Sequence, residues 1–371
     1  MPPSDRAEVL VVGGGPAGLA TAIAARCEGL DVLVVDRARP PIDKACGEGL
    51  MPDGLALLRE LGVDLDPDRL HPFHGIRYLD DEAIAEGRFP GVTGAGVRRL
   101  DLHQALVRRA EDAGVQLRWG VRVEGLTSSG VETATGPLAA RWIVGADGLH
   151  SRIRRWAGLA GGESRVRRFG IRRHFAVAPW SDCVEVYWAQ DCEAYVTPVG
   201  RSEVGVAMLW SGWKSDFDGL MARFPRLRER LEGAEPRSRD RGAGPLRQRV
   251  RRVTRGRVAL VGDASGYVDA ITGEGLSLAF HQAVALAAAL RRGDLASYAR
   301  RHRRLGRLPN TLTGLLLLVE KRPRLRRRLI RAFAREPALF SRLLALHVRE
   351  LPVRRLGSLT GPRLLWRLVW P

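Results

Sequence analysis

An apolar strand that runs directly into a glycine-rich turn and then a helix constrains this chain more than any other feature. Val9-Leu10-Val11-Val12-Gly13-Gly14-Gly15-Pro16-Ala17-Gly18 spells G-x-G-x-x-G, and Leu19 to Gly29 continues with helical patterning. That order of strand, turn and helix is the context in which the motif binds a dinucleotide. Gly13 permits the tight turn, and Gly15 lets the backbone approach a pyrophosphate at the Pro16-Ala17 helix start. Gly18 lets the helix pack close to the strand. A second apolar strand, Asp31 to Val35, ends in Asp36, where an acid accepts hydrogen bonds from an adenosine ribose. Asp36 would repel a 2′-phosphate, and Arg37 beside it weakens that exclusion. A glycine-rich turn without a ligand is the alternative.

Two more stations repeat the logic. Arg141-Trp142-Ile143-Val144-Gly145-Ala146-Asp147-Gly148 is a strand ending on an acid before a basic helical stretch. Arg257 to Gly262-Asp263 is another, and Gly273-Glu274-Gly275 then opens a long apolar helix. Helix N-termini present unsatisfied N–H groups that bind phosphate or flavin oxygens.

In this order and at these separations, the stations resemble the flavoprotein class that contains the single-component aromatic hydroxylases, the geranylgeranyl reductases and the flavin halogenases. The likeness extends to about residue 290. It implies an α/β fold: a Rossmann-like, GR2-type FAD-binding domain with an inserted antiparallel β-sheet substrate domain and a C-terminal helical region. It also implies non-covalent FAD. Asp263, beside Gly262, would hold the ribityl chain or pyrophosphate, Gly273 and Gly275 would bring amides to the isoalloxazine ring, and Asp147 and Gly148 would lie near the pyrophosphate. Arg99 stands where the class places a polar residue on the ribityl chain; a solvated arginine at a helix start is the alternative. Lys44-Ala45-Cys46-Gly47 resembles the reductase branch, in which a Cys-Gly pair lies beside the flavin. Cys46 is therefore the candidate for flavin chemistry, against a small residue in a turn, and Lys44 would contact phosphate or lower the thiol pKa. Glu193-Ala194-Tyr195-Val196-Thr197-Pro198 matches the aromatic motif of the isoprenoid reductases only in part, and Ala270 stands where both branches carry proline.

Length and pattern fit a discontinuous FAD-binding domain over 1–75, 97–160 and 250–300. A substrate domain follows from 76–96 and 165–249, with a basic helical region over 301–371. Tyr187, Trp188 and Tyr195 lie on alternating strand-like segments and are the candidate substrate contacts, although strand aromatics are more often core.

Four dispersed cysteines give neither a disulfide framework nor a zinc spacing, and the first strand begins by Glu8 with no room for a signal peptide. A cytoplasmic setting is expected. His71 and His74 form the only close histidine pair, on a loop that offers no rigid ligand face, so no metal is expected. The net charge of +19 is concentrated: residues 300–371 hold 19 Lys and Arg against Glu320, Glu336 and Glu350. Leu325, Leu329 and Phe333 recur at helical spacing among these arginines, and Leu364 to Trp370 adds aromatics. Peripheral contact with an anionic membrane is one expectation. A helical cap packed on the FAD domain with solvated arginines is the other, and Thr311 to Val319 is too short to span a bilayer. Nucleic acid binding is not expected, because no reading motif accompanies the charge.

The function expected is an FAD-dependent oxidoreductase acting on a small hydrophobic or aromatic molecule. A single G-x-G-x-x-G makes NAD(P)H a transient donor. Hydroxylation through a flavin peroxide is the first chemistry, as a monooxygenase. Saturation of isoprenoid double bonds, as in the geranylgeranyl reductases, is the alternative, and a non-catalytic flavoprotein or anionic-surface binder is the second.

Overall fold

The computed structural model describes residues 6–164, 166–212 and 214–350. The aromatic segment Leu364 to Trp370 lies outside them. The first strand, Arg6–Val12, is the centre of a parallel sheet. Val32–Asp36 pairs on one side and Gly136–Gly145 on the other, with Gln116–Trp119 and Val258–Leu260 beyond them. These strands read as continuous apolar runs because the central ones are covered on both faces. On one face lie the helices Pro16–Cys27, Arg99–Asp112 and Gly275–Arg292. The other face packs against a meander, Val123–Leu126 and Gly130–Thr133, and a short helix, Arg152–Trp156.

The second sheet is ordered Glu235–Pro236, Arg168–Ala176, Glu203–Ser211, Cys192–Gly200, Val184–Ala189, Gly75–Leu79, Ile84–Arg88. Its pairs are antiparallel except that Gly75–Leu79 runs parallel to Val184–Ala189. A three-stranded sheet of Gly49–Leu50, Gly94–Val97 and Leu70–Phe73 joins the two large ones. A Cβ at Gly96 would stand 1.7 Å from the Pro198 carbonyl oxygen, so this small sheet lies directly on the second sheet.

The last helices depart from expectation in two ways. Leu295–Glu320 runs through residue 300, because the break falls earlier: Gly293, at φ +70°, ends one helix and Asp294 accepts from the Ser297 amide to cap the next. Pro323–Arg335 and Pro337–His347 then pack mainly on Ile84–Arg88 at the edge of the second sheet, while His347 also bonds the Thr272 oxygen at 3.2 Å and lies 3.5 Å from Glu274. Leu329, Ile330, Phe333 and Phe340 share a core there with Tyr78, Val186 and Trp188. Among the described residues, no helix is long and apolar enough to cross a membrane, and no cluster of His, Cys, Asp or Glu could hold a metal ion.

Candidate cofactor and substrate site

Both large sheets border one cavity of about 1550 Å³. A single small-molecule site takes roughly 300–1,000 Å³, so this one has room for more than one ligand. One end is the glycine-rich turn. Gly13 has φ +115° and a Cβ there would lie 2.3 Å from the Ala146 oxygen, while one at Gly18 would lie 1.8 Å from the Gly13 oxygen. Both positions therefore exclude any side chain. Gly15 differs: a Cβ there would meet only Arg99 Nη2, at 3.8 Å, which leaves its backbone facing the cavity. Arg99 Nε is buried and has no hydrogen-bond partner. A buried, orphaned guanidinium nitrogen beside an open glycine backbone is what an anionic or polyol ligand would satisfy.

Asp36 ends the second strand and accepts from the Gly14 and Ala38 amides at 2.7 and 2.8 Å. It lines the cavity with Arg37, Pro16 and Ala17. His103 supports the turn from behind by bonding the Gly14 oxygen at 2.8 Å, and burial lowers its pKa. It is a residue that the sequence reading passed over.

Asp147 and Gly148 also line the cavity. The Asp147 carboxylate turns back to accept from Ser151 Oγ and from the Arg152 and Ile153 amides, so it caps the following helix. Buried Arg154 then donates to the carbonyls of Leu149, Asp263 and Ala264 and to Gln248, tying the second acid station to the third. Nothing in the sequence separated Arg154 from its solvated neighbours. Asp263 lines the cavity beyond Gly262; burial raises its pKa, and Arg99 and Lys44 pull it back down. Gly273, at φ +70°, and Gly275 form the far wall, where the helix Gly275–Arg292 begins.

The loop Asp43 to Glu48 bridges the two sheets. Arg172 pairs with Asp43 and donates to the Lys44 oxygen, Thr197 donates to the Gly47 oxygen at 2.8 Å, and His174 bonds buried Glu48. Glu48, at φ +59°, accepts in turn from the Arg99 amide. This bonding holds Lys44, Cys46 and Gly47 along the cavity. Burial raises the Cys46 thiol pKa; Arg99 opposes this and Glu48 adds to it. Burial therefore favours the protonated thiol, and it is Arg99, not Lys44, that opposes the rise.

Of the three candidate aromatics, Tyr195 alone lines the cavity, and its hydroxyl donates to the Ile271 oxygen at 3.0 Å. Tyr187 points to the opposite face of its strand, where it donates to Glu185 within a separate core. Trp188 shares the face of Val184 and Val186 but lies past the cavity end, edge-on to Tyr78 beneath the last helices. Strand alternation had identified candidates for a face without showing how far along that face the cavity reaches.

Away from the glycine turn the lining is apolar: Ile76, Val184, Leu316, Leu329, Phe333 and Leu344, from the second sheet and the last helices, make up an apolar arm of the cavity. Behind Tyr195 a buried charge cluster joins two strands, a helix and a loop around Arg168. It contacts Glu193, Asp269 at 2.9 Å and Glu320 at 3.3 Å, all with side chains at most 2% exposed. Burial pushes all three carboxyls up, Glu193 to about 8.

Residues 6–294 match the family model described as FAD binding domain. A menaquinone reductase of Mycolicibacterium smegmatis is 30% identical over 324 residues, 80% of this chain and 79% of that protein. A 6-methylpretetramide 4-monooxygenase of Streptomyces rimosus is 28% identical over 352 residues, 80% of this chain and 79% of that one. Among solved structures, a flavoprotein/dehydrogenase from Cytophaga hutchinsonii superposes with a TM-score of 0.80 at 19% identity, covering 92% of each chain. Digeranylgeranylglycerophospholipid reductases and flavin-dependent halogenases are among the other matches.

Proposed function

This chain belongs to the FAD binding domain family and is an FAD-dependent oxidoreductase, and from that premise we propose that it saturates a double bond in a long, apolar, isoprenoid-type molecule. The observation that carries the reading is the apolar arm continuous with the glycine-lined end of the cavity. A small aromatic substrate would leave most of that arm unfilled, whereas a polyprenyl chain would occupy it. The reductase relative and the Cys-Gly pair beside the cavity support the same choice.

The chain's own residues divide the work. Gly15, Arg99 and Asp36 would hold the pyrophosphate and ribose portions of FAD, and Gly273 and Gly275 would face the ring. When bound, FAD supplies hydride storage between an external donor and the substrate. The protein positions the double bond, excludes water with its leucine and phenylalanine walls, and holds a proton on Cys46 Sγ for the second carbon. NAD(P)H is the donor in this reading. It binds transiently, since the one G-x-G-x-x-G is committed to FAD.

Hydroxylation is the second reading, favoured by the monooxygenase relative. Product mass separates the two. The FAD-loaded protein is incubated with NADH or NADPH and a polyprenyl quinone, with and without air. Gain of two hydrogens without air that survives reoxidation of the quinone ring supports saturation. Gain of one oxygen atom, only in air, transfers the assignment to hydroxylation, and an unchanged substrate in both removes the isoprenoid reading.

A further inference from the structure

The helix Leu295–Glu320 forms one wall of the apolar arm, and the same residues that face the cavity also face solvent. Leu315 and Leu318 are 54% and 41% exposed yet line the cavity. Large hydrophobics this exposed are few among the described residues; Ile84 and Val284 are the others. At 100° per residue, Arg304, Leu308, Thr311, Leu315 and Leu318 fall on one face of the helix. Thr311 and Arg304 on this face are exposed and Leu308 is half-buried. Exposed bases bracket the leucines along the chain: Arg303, Arg304 and Arg307 before them, Lys321, Arg322 and Arg324 after. Of the tail residues that the sequence offered for this role, Leu329 and Phe333 are instead buried against the second sheet.

We propose that this face is a lipid-docking surface: Leu315 and Leu318 enter an anionic bilayer, the flanking arginines meet its headgroups, and the substrate chain passes from the bilayer into the arm between them. Three observations converge. The exposed leucines are continuous with the cavity, so a chain leaving the bilayer crosses no polar barrier. The bases on both sides complement an anionic surface. The helix presents a narrow apolar face between charges, the pattern of an interfacial helix and not of a spanning one. The identity of the cargo rests on the isoprenoid reading; the docking surface does not.

Vesicle binding of the full FAD-loaded chain tests it. Co-sedimentation with phosphatidylcholine vesicles containing phosphatidylglycerol should exceed that with pure phosphatidylcholine by at least about tenfold, and should weaken with salt. Leu315→Asp/Leu318→Asp, which leaves residues 351–371 unchanged, should lower it by about tenfold or more. A Cβ at Gly314 meets nothing within 4 Å. Gly314→Cys in a Cys27→Ser background, labelled with an environment-sensitive dye, reports on the same face without disturbing the leucines. A blue shift on adding anionic vesicles supports insertion. Equal binding to neutral and anionic vesicles, full binding by the double variant, or an unshifted dye would each overturn the proposal. Vesicle binding without turnover of a polyprenyl quinone would leave docking intact and count against the isoprenoid reading alone.

Discussion

Glu193 lies on the same face of its strand as Tyr195 and Thr197, two residues and four residues ahead, but it contacts Arg168 and no ligand space. With Asp269 and Glu320 it makes three buried carboxyls around one guanidinium, more negative charge than Arg168 can neutralise. The cluster must therefore retain protons. Burial pushes Glu193 up to about 8, above the roughly 4.3 of an unfolded glutamate. Between these values the folded chain holds a proton that the unfolded chain releases, so this stabilisation is complete at low pH and is lost as pH rises through about 8. Glu193→Gln keeps the shape and cannot ionise. Unfolding midpoints measured from pH 5 to 9 should fall less steeply for the variant than for the native chain, on the order of a charge-state difference of one proton. Glu274, also raised to about 8 by burial, continues to titrate in both. Identical slopes would mean that Glu193 is ionised throughout.

At the scale of elements, the helix Pro323–Arg335 shows what an amphipathic stripe does and does not specify. Phe333 is buried and stacks on Phe340 with centroids 4.6 Å apart, and both cover the outer strand of the second sheet. Phe333→Ala should cost about 3 kcal/mol in urea unfolding, the low end for a buried phenylalanine, because part of its surface already borders the cavity. A cost near zero would mean that the helix is not docked as described. The sequence made this helix legible, since Leu325, Leu329 and Phe333 repeat at its period, but its partner was not. A stripe states that something covers it; which sheet does so depends on pairings between distant strands, such as Gly75–Leu79 with Val184–Ala189. The glycine stations were legible for the opposite reason. Gly13 and Gly18 are demanded by contacts within a few residues or one neighbouring strand, and that constraint is written locally. Arg154 and His103 fall between these cases: both are structural bonds to backbone oxygens, made by residue types that are usually solvated. The helix break at Gly293-Asp294 had a local signal, a glycine followed by a capping acid, and could have been placed before residue 300.

For the whole molecule, function depends on two sheets and a terminal helical layer sharing one cavity. The parallel sheet supplies the glycine turn and three acid stations, the second sheet supplies Tyr195 and Thr197, and the helices close the apolar arm. On the proposed reading, each layer controls a different property: cofactor retention, orientation of the reacting bond, and the length of chain admitted. Leu316, half-buried on the helix Leu295–Glu320, faces this arm and lies far in sequence from every glycine station. Leu316→Trp would fill part of the arm with an indole while leaving Gly15, Asp36 and Arg99 untouched. The variant should retain FAD and accept a short prenyl substrate with nearly native kcat/KM. For a long one kcat/KM should fall by about tenfold, the effect of a contact loss of ~1.4 kcal/mol. A series of polyprenyl quinones of increasing chain length measures this directly. Loss that is uniform across the series would place the indole on the route to the reacting bond, and an unchanged profile would remove this arm from the path of the chain.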